Sequence, residues 1–274
     1  MTAEAWKQGA FARALAAYPT LLRVGFAEAV AYRAEMIVWM LTTTMPLVSL
    51  ALWTAVAAGE PVGRFGEPEL VAYFLGALVV RQVTGSWLVW EMNMDIKSGA
   101  LSQRLLKPIH PLIGYSAENL AAMPFRALLT VPVIVVMLFY GSAAFPHDPL
   151  LIAVFLVSLL GAWLINFFTM ALIGSLAFHI ESSASVFQVW LMGFMILSGY
   201  LVPLELFPPW VRTLSDVLPF RYTLAFSVET AIGLLDAKRA LFELGVQWAY
   251  VAATAVAALA AFRHGVRRFS AFGA

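Results

Sequence analysis

The amino-acid sequence predicts an all-α membrane protein with six transmembrane helices. Of its 274 residues, 62% are apolar and 12% are charged, whereas soluble domains carry about 25% charged residues. The mean hydropathy is +0.84. A soluble fold of this length could not bury so much apolar surface, because its outer layer has to be largely polar. The apolar runs lack the period-two alternation of membrane β-strands, so helices are expected to form the spans.

Six apolar stretches are candidates for these spans, although the fifth is short. A spanning helix needs about 20 mostly apolar residues, because the hydrocarbon layer is about 30 Å thick. In chain order, the predicted spans are Met36–Ala58, Leu70–Met92, Asn119–Tyr140, Leu150–Phe178, Val186–Val202 and Leu244–Phe262. The whole chain, residues 1–274, is therefore expected to form a single transmembrane domain.

The segment before the first span, residues 10–33, is predicted to be an amphipathic helix that lies on the membrane surface. Apolar residues recur there at steps of three and four, with arginines between them. The apolar positions are Phe11, Leu15, Tyr18, Leu22, Phe26 and Val30. A plain solvated helix is the alternative, and the apolar stripe argues against it.

Basic residues in the connecting segments indicate the orientation of the chain. Twice as many Lys and Arg residues fall on the side that holds both termini as on the opposite side. Because cytoplasmic loops of membrane proteins carry the excess of basic residues, both termini are expected in the cytoplasm.

The sequence contains no motif that indicates a catalytic site. It contains no cysteine, which excludes disulfides and thiolate metal sites. A phosphate-binding loop needs Gly before Lys-Ser or Lys-Thr, and Ile96 precedes the only such pair, Lys97-Ser98. The four histidines are scattered, and the net charge of +1 gives no indication of a nucleic-acid partner. We therefore expect no catalytic residue, metal or cofactor in this chain.

The connection between the second and third spans, residues 95–108, is predicted to contain a short amphipathic helix from Ser98 to Leu106. Ser98-Gly99 opens this helix and Pro108 closes it. Leu101 and Leu105 share one of its faces. Such a helix suits a groove of a cytoplasmic partner, and an interfacial helix resting on lipid is equally compatible with the sequence.

The segment between the fifth and sixth spans, residues 203–235, is too apolar for a solvated loop and too rich in proline for one helix. It predicts two short helices, Trp210–Leu218 and Phe220–Leu235, which dip into the outer leaflet and turn back. Re-entrant backbone of this kind requires cover by protein or a cavity.

These two segments resemble those of the ABC type 2 permeases, which are membrane subunits of ATP-driven exporters. The family pattern I-x-S-G-x-L-x-x-x-L-L-x-P is matched by Ile96, Ser98, Gly99, Leu101, Leu105, Leu106 and Pro108. The family's outer pattern is matched by Gly199, Pro203, Phe207, Pro208, Pro219 and Tyr222. The tail resembles one bacterial branch at Gly265, Arg267, Arg268 and Phe269. Each motif is loose by itself, but their order and spacing are together fairly specific.

The resemblance implies a permease subunit in a bacterial cytoplasmic membrane. Its partners would be a cytoplasmic ATPase dimer, which binds ATP and Mg, and a second permease, a related chain in preference to a copy. The residues of the first pattern, together with Arg104, would couple to the ATPase, and those of the second would form an outer re-entrant gate. A membrane scaffold and a secondary transporter without an ATPase are the alternatives; the latter predicts internal repeats and intramembrane carboxylates, which the sequence lacks.

Arg81 lies near the middle of the second predicted span, where an arginine costs at least about 2.5–3.5 kcal/mol on insertion scales. It is expected either to line the translocation path or to pair across a permease interface, and the alternative is a structural arginine paired within the chain. Arg126 and Glu118, nearer the cytoplasmic end of the third span, are expected to snorkel towards the headgroups.

Overall fold

The fold is all-helical, as the sequence predicts. The computed structural model of the chain describes residues 3–33, 37–38, 44–140 and 148–269, and over these ranges it contains no β-strand, only an isolated bridge between Val62 and Phe65. Three helical stretches are long and apolar enough to cross a membrane, namely 67–98, 149–178 and 237–266. Helices 45–57 and 183–197 are apolar but shorter.

The described residues form the following α-helices, given in chain order. They are α1 (Ala3–Ala31), α2 (Met45–Ala57), α3 (Glu67–Thr84), α4 (Leu88–Ser98), α5 (Leu101–Leu105), α6 (Pro111–Ala121), α7 (Met123–Tyr140), α8 (Pro149–Ser175), α9 (Ser183–Leu197), α10 (Pro209–Val217), α11 (Ala225–Ala231) and α12 (Ala237–Val266). Single 3-10 turns lie at Leu176–Phe178, Leu204–Leu206 and Arg221–Thr223.

The second predicted span differs most from the structure, because it is broken. Helix α3 ends at Thr84 and α4 begins at Leu88, with Gly85 in an extended conformation between them. The third predicted span is also divided, since α6 ends at Ala121 and α7 starts at Met123. Of the first predicted span, residues 36 and 39–43 lie outside the described residues.

The break in the second span separates two parts of the core. Side chains of α4 pack with α5, α6, α8, α9 and α12 in a cluster that we name the α4 core, and side chains of α3 pack with α9, α11 and the residues before α11 in the α3 core. The α4 core includes Leu88, Met92, Ile96, Leu101, Leu112, Tyr115, Phe187 and Phe262. The α3 core includes Leu70, Tyr73, Phe74, Val80, Phe194, Tyr200, Leu224 and Val228. The two halves of one predicted span therefore belong to different packing units.

Helix α1 packs along α6 and keeps apolar side chains exposed. Gly25 allows the close approach, because a Cβ there would lie 3.0 Å from the Cβ of Ala121. The hydroxyls of Tyr18 and Ser116 are 3.2 Å apart. Leu15 and Phe26, which belong to the predicted apolar stripe, remain exposed. The membrane-surface position of this helix stays a prediction, and its exposed leucine and phenylalanine are compatible with lipid contact.

Candidate functional site

The segment predicted to couple to a partner is a sharp turn with a very short helix. Helix α4 continues to Ser98, and Gly99 ends it in the left-handed region with φ +79°, a conformation that favours glycine. Helix α5 then covers only Leu101–Leu105. The predicted helix from Ser98 to Leu106 is thus too long at both ends, because Ser98 belongs to α4 and its hydroxyl donates to the Met94 carbonyl at 2.8 Å.

Arg104 holds this turn to the neighbouring helices. Its guanidinium donates to Asp95 at 2.7 Å, to Glu118 at 2.8 Å and to Glu91 at 2.9 Å. Its guanidinium carbon also lies 4.1 Å from the ring centre of Tyr115, whose hydroxyl donates to Asp95 at 2.7 Å. Helices α4, α5 and α6 are therefore joined by one cation, and we call these residues the Arg104 cluster.

The Arg104 cluster keeps its central charge. Partial burial by itself would lower the pKa of the Arg104 guanidinium, but the hydrogen bond to Glu118 and the charges of Glu118 and Glu91 raise that pKa above its ordinary value. Glu118, which we expected to snorkel towards the headgroups, accepts a hydrogen bond from Arg104 at 2.8 Å, and its position relative to the headgroups stays a prediction. The sequence pattern did not identify these acidic partners, although Glu91 and Asp95 stand four residues apart on one helix, a spacing that places both on the same face.

The leucines of the segment point in different directions. Leu101 is fully buried in the α4 core, and Leu105 packs against that core from its edge. The face that we expected to meet a partner is therefore turned towards the chain itself. Leu106, by contrast, is 87% exposed, and Pro108 is exposed as well, whereas Ile96 is buried. Leu106 is thus the apolar side chain of this turn that a partner could cover.

The break between α3 and α4 is lined by polar side chains from other helices. Asn166 of α8 donates to the Thr84 carbonyl at 3.3 Å, and Arg126 of α7 donates to the Gly85 carbonyl. Asn119 donates to the Ser86 hydroxyl at 3.2 Å and accepts from the indole of Trp163 at 2.8 Å. Backbone groups freed by a break need such partners inside a membrane, so these contacts stabilise the unwound turn.

Two arginines lie at this break. Arg81 is half-buried one turn before it, with its guanidinium carbon 4.8 Å from the ring centre of Phe194 and a hydrogen bond to the Tyr200 hydroxyl. Arg126 is only 6% exposed and donates to the Asn119 carbonyl at 2.7 Å. The expectation that Arg126 snorkels is therefore wrong, because backbone carbonyls at the break hold it inside the bundle.

The outer segment is folded back onto the chain. Residues 221–230 are all buried, but the predicted helix Phe220–Leu235 is only the turn Arg221–Thr223 and helix α11, because Leu224 has non-helical backbone angles and Gly233 has φ +69°. Helix α10 follows Pro208, and Pro203 is buried while Phe207 is half-buried. Whether this segment re-enters a membrane stays a prediction.

A second arginine cluster fixes the outer segment to α12. Arg221 pairs with Glu229 at 2.8 Å, with Asp216 at 2.9 Å and with Glu243 at 3.3 Å. The Tyr222 hydroxyl donates to Glu243 at 2.7 Å, so both residues after Phe220 are bound to the same α12 carboxylate. We call these residues the Arg221 cluster.

Gly199 and α10 stand before and after the 3-10 turn Leu204–Leu206. Gly199 has φ +82°, and a Cβ there would clash with the Tyr73 hydroxyl, which donates to the Gly199 carbonyl at 2.9 Å. On α10, the exposed apolar side chains Trp210, Leu214 and Val217 share one face at steps of four and three. This stripe is typical of a helix that lies in a membrane interface.

The tail residues of the predicted pattern also have a structural place. A Cβ at Gly265 would clash with the ring of Phe178, and Phe269 meets the same ring edge-on at 5.9 Å between centroids. Arg267 and Arg268 are exposed. The glycine and the aromatic residue therefore anchor the end of α12 against the turn after α8.

Comparison with known proteins gives one family. A family model described as "ABC-2 family transporter protein" matches residues 47–273. No curated protein and no solved structure matches the chain.

Proposed function

Because the chain belongs to the ABC-2 transporter family, we propose that it is the membrane-spanning permease subunit of an ATP-binding-cassette exporter. The observation that carries this proposal is the family match, which covers residues 47–273. In the proposed complex a separate ATPase dimer binds ATP and Mg and closes, and this chain moves the substrate in response. A secondary transporter or a membrane scaffold is less well supported, since neither calls for the coupling segment.

The proposed topology has six spans with both termini in the cytoplasm of a bacterial cell. Its support is the packing of the connections. The α4 core gathers Leu105, Phe178 and Phe269, which come from, or lie next to, three regions expected on the cytoplasmic side. On the opposite side, the loop before α3 pairs with the outer segment through Arg64 and Glu205. The two groups of connections thus assemble separately, as alternating spans require.

The proposed coupling runs through the Arg104 cluster. An ATPase that grips the turn at Leu106 would pull on α5, and Arg104 would pass the displacement to α4 and α6 because it binds carboxylates on both. Helix α4 could then move with its own core while α3 stays with the other, since the break at Gly85 separates them. The break would serve as the hinge of the second span.

A second permease is proposed to complete the pathway. Ala249 and Ala253 of α12 are exposed, and small side chains of this kind let another helix approach closely in a membrane. We propose a related chain as the occupant, in preference to a second copy, with lipid covering the remaining apolar surface.

The test of the proposed function is Leu106→Asp. We expect this variant to fold, because Leu106 makes little contact with the chain, and to lose the ATPase on co-purification, because an apolar groove would have to bury a lone carboxylate. Gln103→Asp is the matched control, since Gln103 is an exposed residue of helix α5, three positions before Leu106. Recovery of the ATPase at wild-type yield with Leu106→Asp would contradict the proposal.

A further inference from the structure

The two arginines at the helix break are close neighbours. The Nη1 atoms of Arg81 and Arg126 each lie 3.7 Å from the position that a Cβ on Gly85 would occupy, so they are less than twice that distance apart. Arg126 is deeply buried, and Arg81 is half-buried. Two full positive charges, one from the second predicted span and one from the third, are thus placed close together.

Their charges are not balanced by any described residue. Ion pairs in the described ranges are formed by Arg64, Arg104, Arg221 and Arg239, and neither arginine of the break takes part. Arg81 has an aromatic ring and a tyrosine hydroxyl as partners, and Arg126 has backbone carbonyls. These neutral groups accept hydrogen bonds but supply no full negative charge.

The buried arginine also has an unused donor. The Nε atom of Arg126 is buried and has no hydrogen-bond partner among the described residues, although a guanidinium carries five N–H donors. Buried donors are normally satisfied, and a buried charge is normally paired. An anion beside Arg81 and Arg126 would meet both requirements.

We propose that Arg81 and Arg126 form a binding site for an oxyanion, a phosphate or carboxylate group carried by an amphiphile. Guanidinium groups bind these two anions through paired N–H donors. The ring of Phe194 against Arg81 provides an apolar wall beside the charge, which suits a headgroup attached to a hydrocarbon chain. This inference rests on the proposed function in one respect, because it names the class of substrate or bound lipid that such a permease would carry at its hinge.

The test measures binding to the full chain in an uncharged maltoside detergent. Phosphatidylglycerol, phosphatidylcholine and inorganic phosphate are titrated separately, and the shift in melting temperature gives an apparent affinity. We expect phosphatidylglycerol to bind the wild type, phosphatidylcholine to bind much more weakly, and Arg81→Met to weaken phosphatidylglycerol roughly tenfold to a hundredfold, the range expected when one charge-assisted contact is lost.

Two further variants keep the test decisive. Arg81→Lys should restore part of the affinity, because it retains the charge without the fork, and Arg126→Lys should weaken binding while sparing the fold better than an apolar replacement. The exposed arginine variant Arg267→Met is the matched control and should bind like the wild type.

Binding of inorganic phosphate at comparable affinity would support the oxyanion site and identify a free ion as its source. Equal affinity of the wild type and Arg81→Met for phosphatidylglycerol would overturn the proposal. An absence of anion binding to the folded wild type would also overturn it, and a carboxylate of the second permease would then be the group that pairs with the two arginines. The measurement needs no ATPase, so its outcome is independent of the Leu106→Asp result.

Discussion

Replacement of Arg104 by methionine should loosen the segment that connects α4 to α6. Methionine occupies a similar volume but cannot pair with Glu91, Asp95 and Glu118, which lie within 2.7–2.9 Å of the guanidinium. The three carboxylates would then face one another without a cation. We expect a less stable protein whose spans nevertheless still assemble, because the apolar clusters are untouched.

The magnitude follows from how exposed these groups are. The Arg104 side chain is 21% exposed, and its partners range from 19% to 40%. Exposed pairs contribute about 0–1 kcal/mol each, whereas breaking a buried pair costs about 3–5 kcal/mol. The loss of three ion pairs between these limits, together with the lost contact to the Tyr115 ring, lowers the free energy of unfolding by about 3 kcal/mol. In a chain of this size that corresponds to a melting temperature lower by roughly 5–10 °C.

The assay is thermal unfolding in detergent, followed by the fluorescence of the nine tryptophans. Arg64→Met is the matched control, because Arg64 also pairs with a carboxylate but its side chain is 48% exposed, against 21% for Arg104. Arg64→Met should lower the free energy of unfolding by less than about 1 kcal/mol. The melting temperature of Arg104→Lys should lie between those of Arg104→Met and Arg64→Met, because lysine keeps the positive charge but lacks the paired N–H donors of a guanidinium. Equal melting temperatures for Arg104→Met and Arg64→Met would refute the reasoning.

Two predictions concern the outer segment and use cysteines introduced into a chain that has none. Cysteines at Leu214 and Leu224 should react poorly with a membrane-impermeant maleimide, because the apolar face of α10 at Leu214 meets lipid and Leu224 is fully buried. The control is a cysteine at Thr213, which is exposed on the same helix as Leu214 and should react rapidly. Equal reaction rates at all three positions would contradict the interfacial placement of α10. Glu243→Gln should raise the labelling rate of the cysteine at Leu224 several-fold, because it weakens the hydrogen bonds from Arg221 and Tyr222 that hold this segment to α12. An unchanged labelling rate would contradict this prediction and show that packing alone protects the segment.

The helical fold class could be predicted from the sequence because it depends on apolar content and run length. The break at Gly85 could not, since the apolar run continues from Leu70 to Met92 without a proline. What stabilises the break is the set of side chains that reach it from α6, α7 and α8, and a single sequence does not show which residues will meet there. The same limit explains why Arg126, which holds the break, was expected to snorkel.

In the coupling segment, the motif predicts a short helix but not the direction in which each of its side chains points. The pattern of Ser98, Gly99 and Leu101 predicts a short helix from Ser98, whereas in the structure Ser98 ends α4 and the short helix covers only Leu101–Leu105. The direction of each leucine depends on what α6, α8 and α12 place beneath it, so the buried Leu101 and the exposed Leu106 could not be distinguished in advance. Arg104 was a candidate for partner contact for the same reason, because its acceptors lie on helices separated from it by a turn.

Four arginines that lie between helices of this apolar chain occupy two kinds of environment, and the difference between them shows which positive charges the described residues leave unpaired. Arg104 and Arg221 each bind three carboxylates, so the chain itself compensates their charges and they serve to hold helices together. Arg81 and Arg126 have only neutral partners among the described residues, at a point where the helix is already unwound. A charge kept in a membrane without a partner is costly, and a purely structural role would be served by an amide or a hydroxyl. The arginine pair therefore supports the proposed oxyanion site, in which the negative group comes from outside the described residues.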